Sequence, residues 1–343
     1  MKILLYTDNH FCATSSIMRD KGEKYSLRLE NQIKSINWLE QLSIEHKCTL
    51  EIHCGDFFEK ETLSSEEISA LKDINWNYNK KEFIVGNHEI GSGNLEFNSV
   101  YALNQIGDVI IKPTLIIDKY CNIIMIPYII ESNRKSLKEY IDEAFENTNE
   151  TYNKDLPIIV FTHNLIDGLN YGGFKSNEGF NLIEIQDNCR MFFDGHLHNK
   201  YCLNYSNCLI QILGDFSGLN FSGDATKYSH CAYILDTETL AFETFENPYA
   251  FNFYKLEYPF NEELKDNAIV SIKVKQSQVE QAKAELNNNK KIIKFRITII
   301  PEKTINSNNK EEIISKDHIQ QFKVSFKEKE GTNEIIEEEL GRL

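Results

Sequence analysis

Five short apolar runs in this chain each stop abruptly at a side chain able to bind a cation. Ile3 to Thr7 runs into Asp8-Asn9-His10, and Thr49 to Cys54 into Gly55-Asp56. Phe83-Ile84-Val85 runs into Gly86-Asn87-His88-Glu89, and Pro157 to Phe161 into Thr162-His163. Met191-Phe192-Phe193 runs into Asp194-Gly195-His196-Leu197-His198. An apolar run bounded by glycine and polar residues reads as a buried strand followed by a tight loop. Open α/β sheets keep their chemistry at such C-terminal strand ends. One such end is weak evidence, because Gly-Asn is also an ordinary turn. Five of them require the strands to lie side by side with their ends at one edge.

Between these runs, Tyr25 to Glu45 carries Leu27, Ile33, Ile36, Leu39, Leu42 and Ile44 at helical spacing. Ser64-Ser65-Glu66-Glu67 before Ile68 and Leu71 is a capped helix start. The first three runs therefore read as β-α-β-α-β, a parallel sheet with right-handed crossovers. Leu115 to Ile130 reads as two strands around Asp118 to Asn122, and Lys135 to Phe145 as a helix. Gly168 to Gly179 is a polar, glycine-bearing loop long enough to be a functional surface. Leu203 to Phe245 alternates in short segments, which suggests a second, more antiparallel sheet.

At 343 residues the chain exceeds one average domain, so one large domain and a smaller one are expected. The aromatics Tyr249, Phe251, Phe253, Tyr254 and Tyr258 read as a connector and place the boundary between residues 250 and 251. The smaller part, 251–343, then holds a strand (Ile269 to Val274), a helix (Gln278 to Leu286) and a strand (Ile292 to Ile300). A loop at Ser307-Asn308-Asn309 and a frayed acidic end are expected beyond them. No stretch approaches the roughly 18 apolar residues of a membrane span. Met1 to Thr7 is cut short by Asp8 and His10, so it reads as a first strand and not as a signal core. The eight cysteines form no CxxC pair, which fits reduced thiols and a cytoplasmic location, the host cytoplasm if the chain is phage-encoded.

A formal net charge of -15 argues against a general nucleic-acid coating protein. Charge is unevenly placed, however. Lys265 to Arg296 holds Lys273, Lys275, Lys283, Lys290, Lys291, Lys294 and Arg296 against only Asp266, Glu280 and Glu285. A basic face on an acidic body suits a local nucleic-acid contact. A solvated helix and strand edge is the other reading.

The strand ends hold six of the nine histidines: His10, His53, His88, His163, His196 and His198. With Asp8, Asp56 and Asn87 they would converge at one sheet edge, and no motif contains lysine or arginine to neutralise them. A pair of divalent cations would. Two metals roughly 3.5–4 Å apart clamp a phosphate ester and activate a water. A shared ligand must be a carboxylate with one oxygen for each ion, and Asp56 suits that place. Asp8-x-His10, read as an extended segment, points both side chains to one face and toward one ion. Asn87 and His163 suit the other ion, and His196 and His198 can be split between the two. His88, next to a ligand, suits a proton donor over the site.

These five ordered motifs resemble those of calcineurin-like metallophosphoesterases, over residues 1 to about 200. Within that group the chain looks most like the SbcD-type nuclease subunit, including the short version of T-even-like phages. The motif spacing, the Ile124-Met125-Ile126-Pro127-Tyr128 strand and the small basic β-α-β appendage carry this likeness. The resemblance implies an α/β (α+β) fold of two facing mixed sheets flanked by helices, with the appendage as a capping domain. It implies two divalent cations, manganese or magnesium. Asp8, His10, Asp56 and His198 would hold one, Asp56, Asn87, His163 and His196 the other, and His88 would be catalytic. It further implies processing of DNA ends with an SMC-like ATPase subunit of the SbcC type, and leaves a homodimer open. Lys273, Lys275, Lys290, Lys291, Lys294 and Arg296 are the candidate DNA contacts. A phosphomonoesterase or small phosphodiesterase on the same fold is the alternative, and a non-catalytic scaffold a third.

Two positions depart from the nuclease pattern. Glu59 stands where similar nucleases often have histidine, and Gly214-Asp215-Phe216 where they have a Gly-Ser-Pro-like turn. Glu89 matches the Gly-Asn-His-Glu of Ser/Thr protein phosphatases, but Val85 replaces their phosphate-binding arginine.

Overall fold

A computed structural model describes residues 1–15, 17–148, 151–171, 174–221 and 229–301. The described residues to Ile300 form one compact unit. Three of the apolar runs become β1 (Lys2–Tyr6), β2 (Leu50–His53) and β3 (Lys80–Ile84), which pair in parallel in that order. Asp108–Ile110 extends this sheet beyond β3. The second sheet is built on Ile158–Thr162 and Met191–Asp194, parallel neighbours, with Asn122–Ile126 on one flank and Cys208–Ile212 on the other. Each sheet has six strands.

The two sheets face each other. Ile3, Leu5, Ile52 and Ile84 of the first pack against Ile123, Met125, Phe161 and Phe193 of the second, all essentially water-free. On the outer face of the first sheet, Leu4 and Tyr6 pack with Leu29, Ile36 and Leu39 of helix α1 (Leu27–Glu45) and with Ala70 and Leu71 of α2 (Ser65–Leu71). On the outer face of the second, Ile124, Val160 and Phe192 pack with Leu137, Ile141 and Ile185 of two further helices. Burying each such side chain stabilises by about 1.5–3 kcal/mol. This two-layer sheet core flanked by helices is the fold that the resemblance implies. Strands covered on both faces are largely apolar, which is why the runs were readable, although β2 and β3 also bury the charged residues Glu51, Lys81 and Glu82. The helix start at Ser64 was readable too, and two others are built the same way. Ser26, Ser64 and Ser136 each cap a helix by accepting from a backbone N–H three residues on.

The stretch Leu203 to Phe245 forms no sheet of its own. Its first hairpin, Tyr201–Tyr205 with Cys208–Ile212, joins the second sheet. Its second hairpin, Cys231–Asp236 with Ala241–Glu246, joins the first, through antiparallel pairing of Cys231–Asp236 with β1. Alternation announces a half-covered strand but not which edge it will complete. The aromatic connector also holds a strand, Asn252–Glu257, parallel to Ala268–Lys275. With Ile292–Ile300 these make a three-stranded sheet, covered on one face by the helix Val279–Asn288 through Val270, Ile272, Ala282 and Leu286. The boundary expected at 250/251 falls just before this sheet. The loop expected at Gly168 to Gly179 contains the short antiparallel pair Asn170–Tyr171 and Phe174–Lys175. The loop at 307–309 and the acidic end lie outside the described residues, and no described helix is long and apolar enough to cross a membrane.

Candidate metal centre

All five motif loops come together at the C-terminal ends of β1, β2 and β3 and of the strands Ile158–Thr162 and Met191–Asp194. The loops after β1 and β2 are laced by backbone bonds, Asp8 N to Gly55 O and His10 N to Asp56 O, both 3.1 Å. Asp8, His10, Asp56 and His196 all adopt the left-handed backbone conformation, with φ of 52°, 46°, 55° and 63°. That corrects the reading of Asp8-x-His10 as an extended segment. The two side chains meet because the chain coils between them. Each such residue costs on the order of 1 kcal/mol, held in place by surrounding bonds. Helix α1 supplies several. Gln32 donates to the carbonyls of Asn9 (2.7 Å) and His10 (3.0 Å), and Arg28 donates to His10 O at 3.1 Å. Arg28 is fully buried with no carboxylate within ion-pair reach among the described residues. The sequence reading missed both residues. Their only signal was polar character at helix positions one turn apart on the inward face.

Two knots of donor atoms result. In the first, His10 Nε2 lies 3.2 Å from His198 Nε2, while Asp8 Oδ1 lies 3.6 Å from the former and 3.4 Å from the latter. In the second, Asn87 Oδ1 lies 3.2 Å from His163 Nε2 and 2.9 Å from His196 Nδ1. Asp56 Oδ2 is 3.1 Å from the same His163 nitrogen. Ligands bound at about 2.0–2.2 Å to one cation sit roughly 3.0–3.5 Å apart, so both knots have the size a divalent ion requires. Asp8 Oδ1 is buried without an aligned hydrogen bond, as an oxygen reserved for a cation would be. Asp56 is near both knots, grouping with His163 and His196 and also with His10 and His88. The residues fit a pair of hard or borderline cations.

His88 is half-exposed beside this pair, its Nε2 4.0 Å from Asp56 Oδ2. Its Nδ1 faces the Glu59 carbonyl at 3.1 Å, and its ring meets His10 edge-on at 4.7 Å. The sixth histidine, His53, turns away from the centre and packs on Tyr6, Phe57 and Phe83. Burial pushes it down to about 3, so it is a neutral core residue.

The electrostatics show what the centre demands. Burial alone would raise the Asp8 carboxyl, but His10, His163 and His198 hold it well below its usual range. Asp56 is held down against burial by His163. His163 rises to about 10 despite its burial, because Asp56 and Asp8 face it. His196 falls to about 4 through burial and the neighbouring charge on His163. Carboxylates buried this deeply require positive charge beside them, which a pair of divalent cations would supply in place of protons on histidine.

Both departures have structural accounts. Glu59 places its carboxylate against His10. Asp215 is buried against His230, and its N–H reaches the His198 carbonyl at 3.3 Å, so this pair braces the last ligand loop. Glu89, matching the phosphatases, is buried and accepts from Gly86 N (2.7 Å) and Phe58 N (2.9 Å), tying the second and third loops together.

Of the candidate DNA contacts, Lys273, Lys275, Lys294 and Arg296 share one face of the three-stranded sheet, opposite its helix. Lys255, which the sequence reading missed, joins them, being opposite Ser271 in the register. Lys290 and Lys291 lie at the turn before the last strand. Lys294 pairs with Asp20 at 2.5 Å and Lys291 bonds the Leu264 carbonyl at 2.8 Å. Among the described residues, Lys255, Lys275, Lys290 and Arg296 have no carboxylate partner. Arg296 lies over the Phe221 ring.

Residues 1–200 match the family model of calcineurin-like phosphoesterases. Among solved structures, the chain is similar to TT1561 of Thermus thermophilus, at 10% identity over 71% of this chain and 98% of that one, with a TM-score of 0.45. A putative 5'-nucleotidase from Staphylococcus aureus is 13% identical over 71% of this chain and 52% of its own, TM-score 0.45. A dimetal phosphatase from Danio rerio is 8% identical over 72% and 98%, TM-score 0.41. No curated protein matches the chain.

Proposed function

Because the chain belongs to the calcineurin-like phosphoesterase family, we propose that it hydrolyses phosphodiester bonds at DNA ends, as the nuclease subunit of a pair completed by an SMC-like ATPase. Family membership makes it a metallophosphoesterase hydrolase. The DNA reading is carried by one observation: a strongly acidic chain presents a sheet face bearing Lys255, Lys273, Lys275, Lys294 and Arg296. A small phosphomonoester needs no such surface, whereas a duplex backbone does.

In this reading Asp8, His10 and His198 would hold one divalent cation and Asn87, His163 and His196 the other, with Asp56 available to both. The bound pair supplies Lewis-acid clamping of the phosphate and a water acidic enough to attack near neutral pH. The protein's own part is placement and proton transfer. The left-handed turns at Asp8, His10, Asp56 and His196 fix the ligand atoms before any ion arrives. With both ring nitrogens protonated, His88 keeps its Nδ1–H on the Glu59 carbonyl and gives its Nε2 proton to the departing oxygen.

The test is hydrolysis of linear duplex DNA, single-stranded DNA and a generic phosphomonoester with Mn²⁺, with and without the ATPase partner. Duplex ends should be degraded, and faster with the partner and ATP. Efficient phosphomonoester hydrolysis with intact DNA would overturn the nuclease reading and leave the phosphatase alternative.

A further inference from the structure

We infer that Glu59 is a positioning residue for the cation held by Asp8, His10 and His198, an inference that rests on the metal centre and not on the identity of the substrate. A histidine ligand is only half fixed by the ion it binds. Its second ring nitrogen must be held, or the ring can turn and offer the wrong atom. The other ligands face this need differently. His163 directs Nδ1 to the Cys54 carbonyl at 2.8 Å, a rigid main-chain partner inside the core.

His10 has no such carbonyl. Its Nε2 belongs to the first knot of ligands, and its Nδ1 is buried without an aligned hydrogen bond. The Glu59 Oε2 atom lies 2.7 Å from that Nδ1, the one acceptor against it among the described residues. The glutamate is about two-fifths exposed, so its carboxylate is free to swing into line with the N–H. Placed there, it keeps the proton on Nδ1, leaves the Nε2 lone pair for the ion, and strengthens the ring as a donor. An imidazole at position 59 would bring no negative charge to that contact.

The same residue has a second hold. Its carbonyl oxygen takes His88 Nδ1, so the side chain of Glu59 sets the ring of a ligand while its backbone sets the neighbouring half-exposed ring. Only the side-chain contact is removed by substitution, which allows the two roles to be separated.

The experiment is a calorimetric titration of the full chain with Mn²⁺ for the parent, Glu59→Ala and Glu59→Gln, with melting curves of each. The parent should bind two ions. Glu59→Ala should lose about 10–100-fold in affinity for one of them, the range usual for a lost outer partner of a histidine ligand. The other ion should bind as in the parent. Glu59→Gln, whose amide oxygen can take the same bond, should recover most of the loss. A merely structural role would weaken both ions and lower the melting temperature together, and glutamine would not selectively rescue one. A parent-like isotherm for Glu59→Ala overturns the inference. A parent that takes up no Mn²⁺ overturns the metal centre itself, so the two failures are distinguishable. Should Glu59→Ala not fold, Glu59→Gln with both ions bound at parental affinity, set against a weakened Glu59→Ser, decides the question in the same way.

Discussion

The basic face of the three-stranded sheet allows a quantitative test of nucleic-acid binding, and the structure selects which residues to change. Lys294 and Lys291 are poor choices, being tied to Asp20 and to the Leu264 carbonyl. Replacing either would disturb local packing along with charge. Arg296 is tied as well, to Ser271 Oγ and the Phe221 ring. Lys255, Lys275 and Lys290, in contrast, are exposed and free of carboxylates among the described residues, so Lys255→Gln, Lys275→Gln and Lys290→Gln together remove charge at little structural cost. Each phosphate contact contributes about 0.9 to the slope of log affinity against log salt. Three lost contacts should flatten that slope by about 2.7. Between 1 M salt, where the contribution vanishes, and 0.1 M, where it is large, this amounts to a loss of about 10²–10³-fold in affinity at the lower concentration.

The assay is fluorescence anisotropy on a labelled linear duplex across a series of salt concentrations, parent against triple variant. Hydrolysis of bis(p-nitrophenyl) phosphate serves as a control for the metal centre and should be unchanged, because none of the three residues touches it. Parallel salt slopes for parent and variant would refute the reasoning and reduce the face to a solvated surface.

Asp56→Ala removes the carboxylate nearest both knots, so elemental analysis should show fewer than two ions per chain and activity should vanish. Two retained ions would contradict the bridging role. His88→Asn should keep both ions and lower the hydrolytic rate by about 10²–10⁴-fold; parental turnover, or loss of an ion, would show that the role is wrong. Gly86→Ala places a methyl group 2.2 Å from Asp56 Oδ1 and 2.4 Å from Asp56 N, so the loop bearing Asp56 must shift and Mn²⁺ uptake should weaken. An unchanged titration would mean the carboxylate has more room than its packing indicates. Glu40, buried beside Glu51 and Lys81, is pushed up to about 7 by burial and by the Glu51 charge. The folded state therefore holds more protons than the unfolded chain between about pH 4.5 and 7, and the stability from this group, complete at the lower limit, is lost as pH rises through 7. Denaturant unfolding at pH 5 and pH 8 should show a pH-linked loss on the order of 1–3 kcal/mol in the parent that is smaller in Glu40→Gln. Equal pH dependence in the two proteins would contradict the assignment.

Much of the fold was legible because its central strands are covered on both faces and so are largely apolar, with the buried charges Glu51, Lys81 and Glu82 as exceptions. The site was legible because each of those strands ends in a ligand type. What was not legible depends on partners far away in sequence. The hairpins at Tyr201 to Ile212 and Cys231 to Glu246 have similar alternation, yet one completes the second sheet and the other pairs with β1. The coil at Asp8 and His10 escaped the sequence because left-handed backbone is uncommon outside glycine, even for aspartate and histidine, which adopt it more readily than most residues. Here bonds from Arg28 and Gln32, some twenty residues away, impose it. Lys255 was hidden inside a segment whose aromatics drew attention away from its alternation, and its neighbours on the basic face are set by sheet register.

The position of β1 affects the order in which the chain can become active during synthesis. Its two flanks are filled by strands made at very different times, Leu50–His53 early and Cys231–Asp236 late. At about 5–20 residues per second, the interval between them is on the order of 10–40 s. Every strand of the second sheet is translated within that interval, His198 included, so all the candidate ligands exist before the sheet carrying half of them has closed. Until residue 236 leaves the ribosome, β1 has one bare row of donors and acceptors, and the loop bearing Asp8 and His10 hangs from an unfinished edge. The sheet beneath the candidate metal centre is in this way completed only when the first strand made meets one of the last.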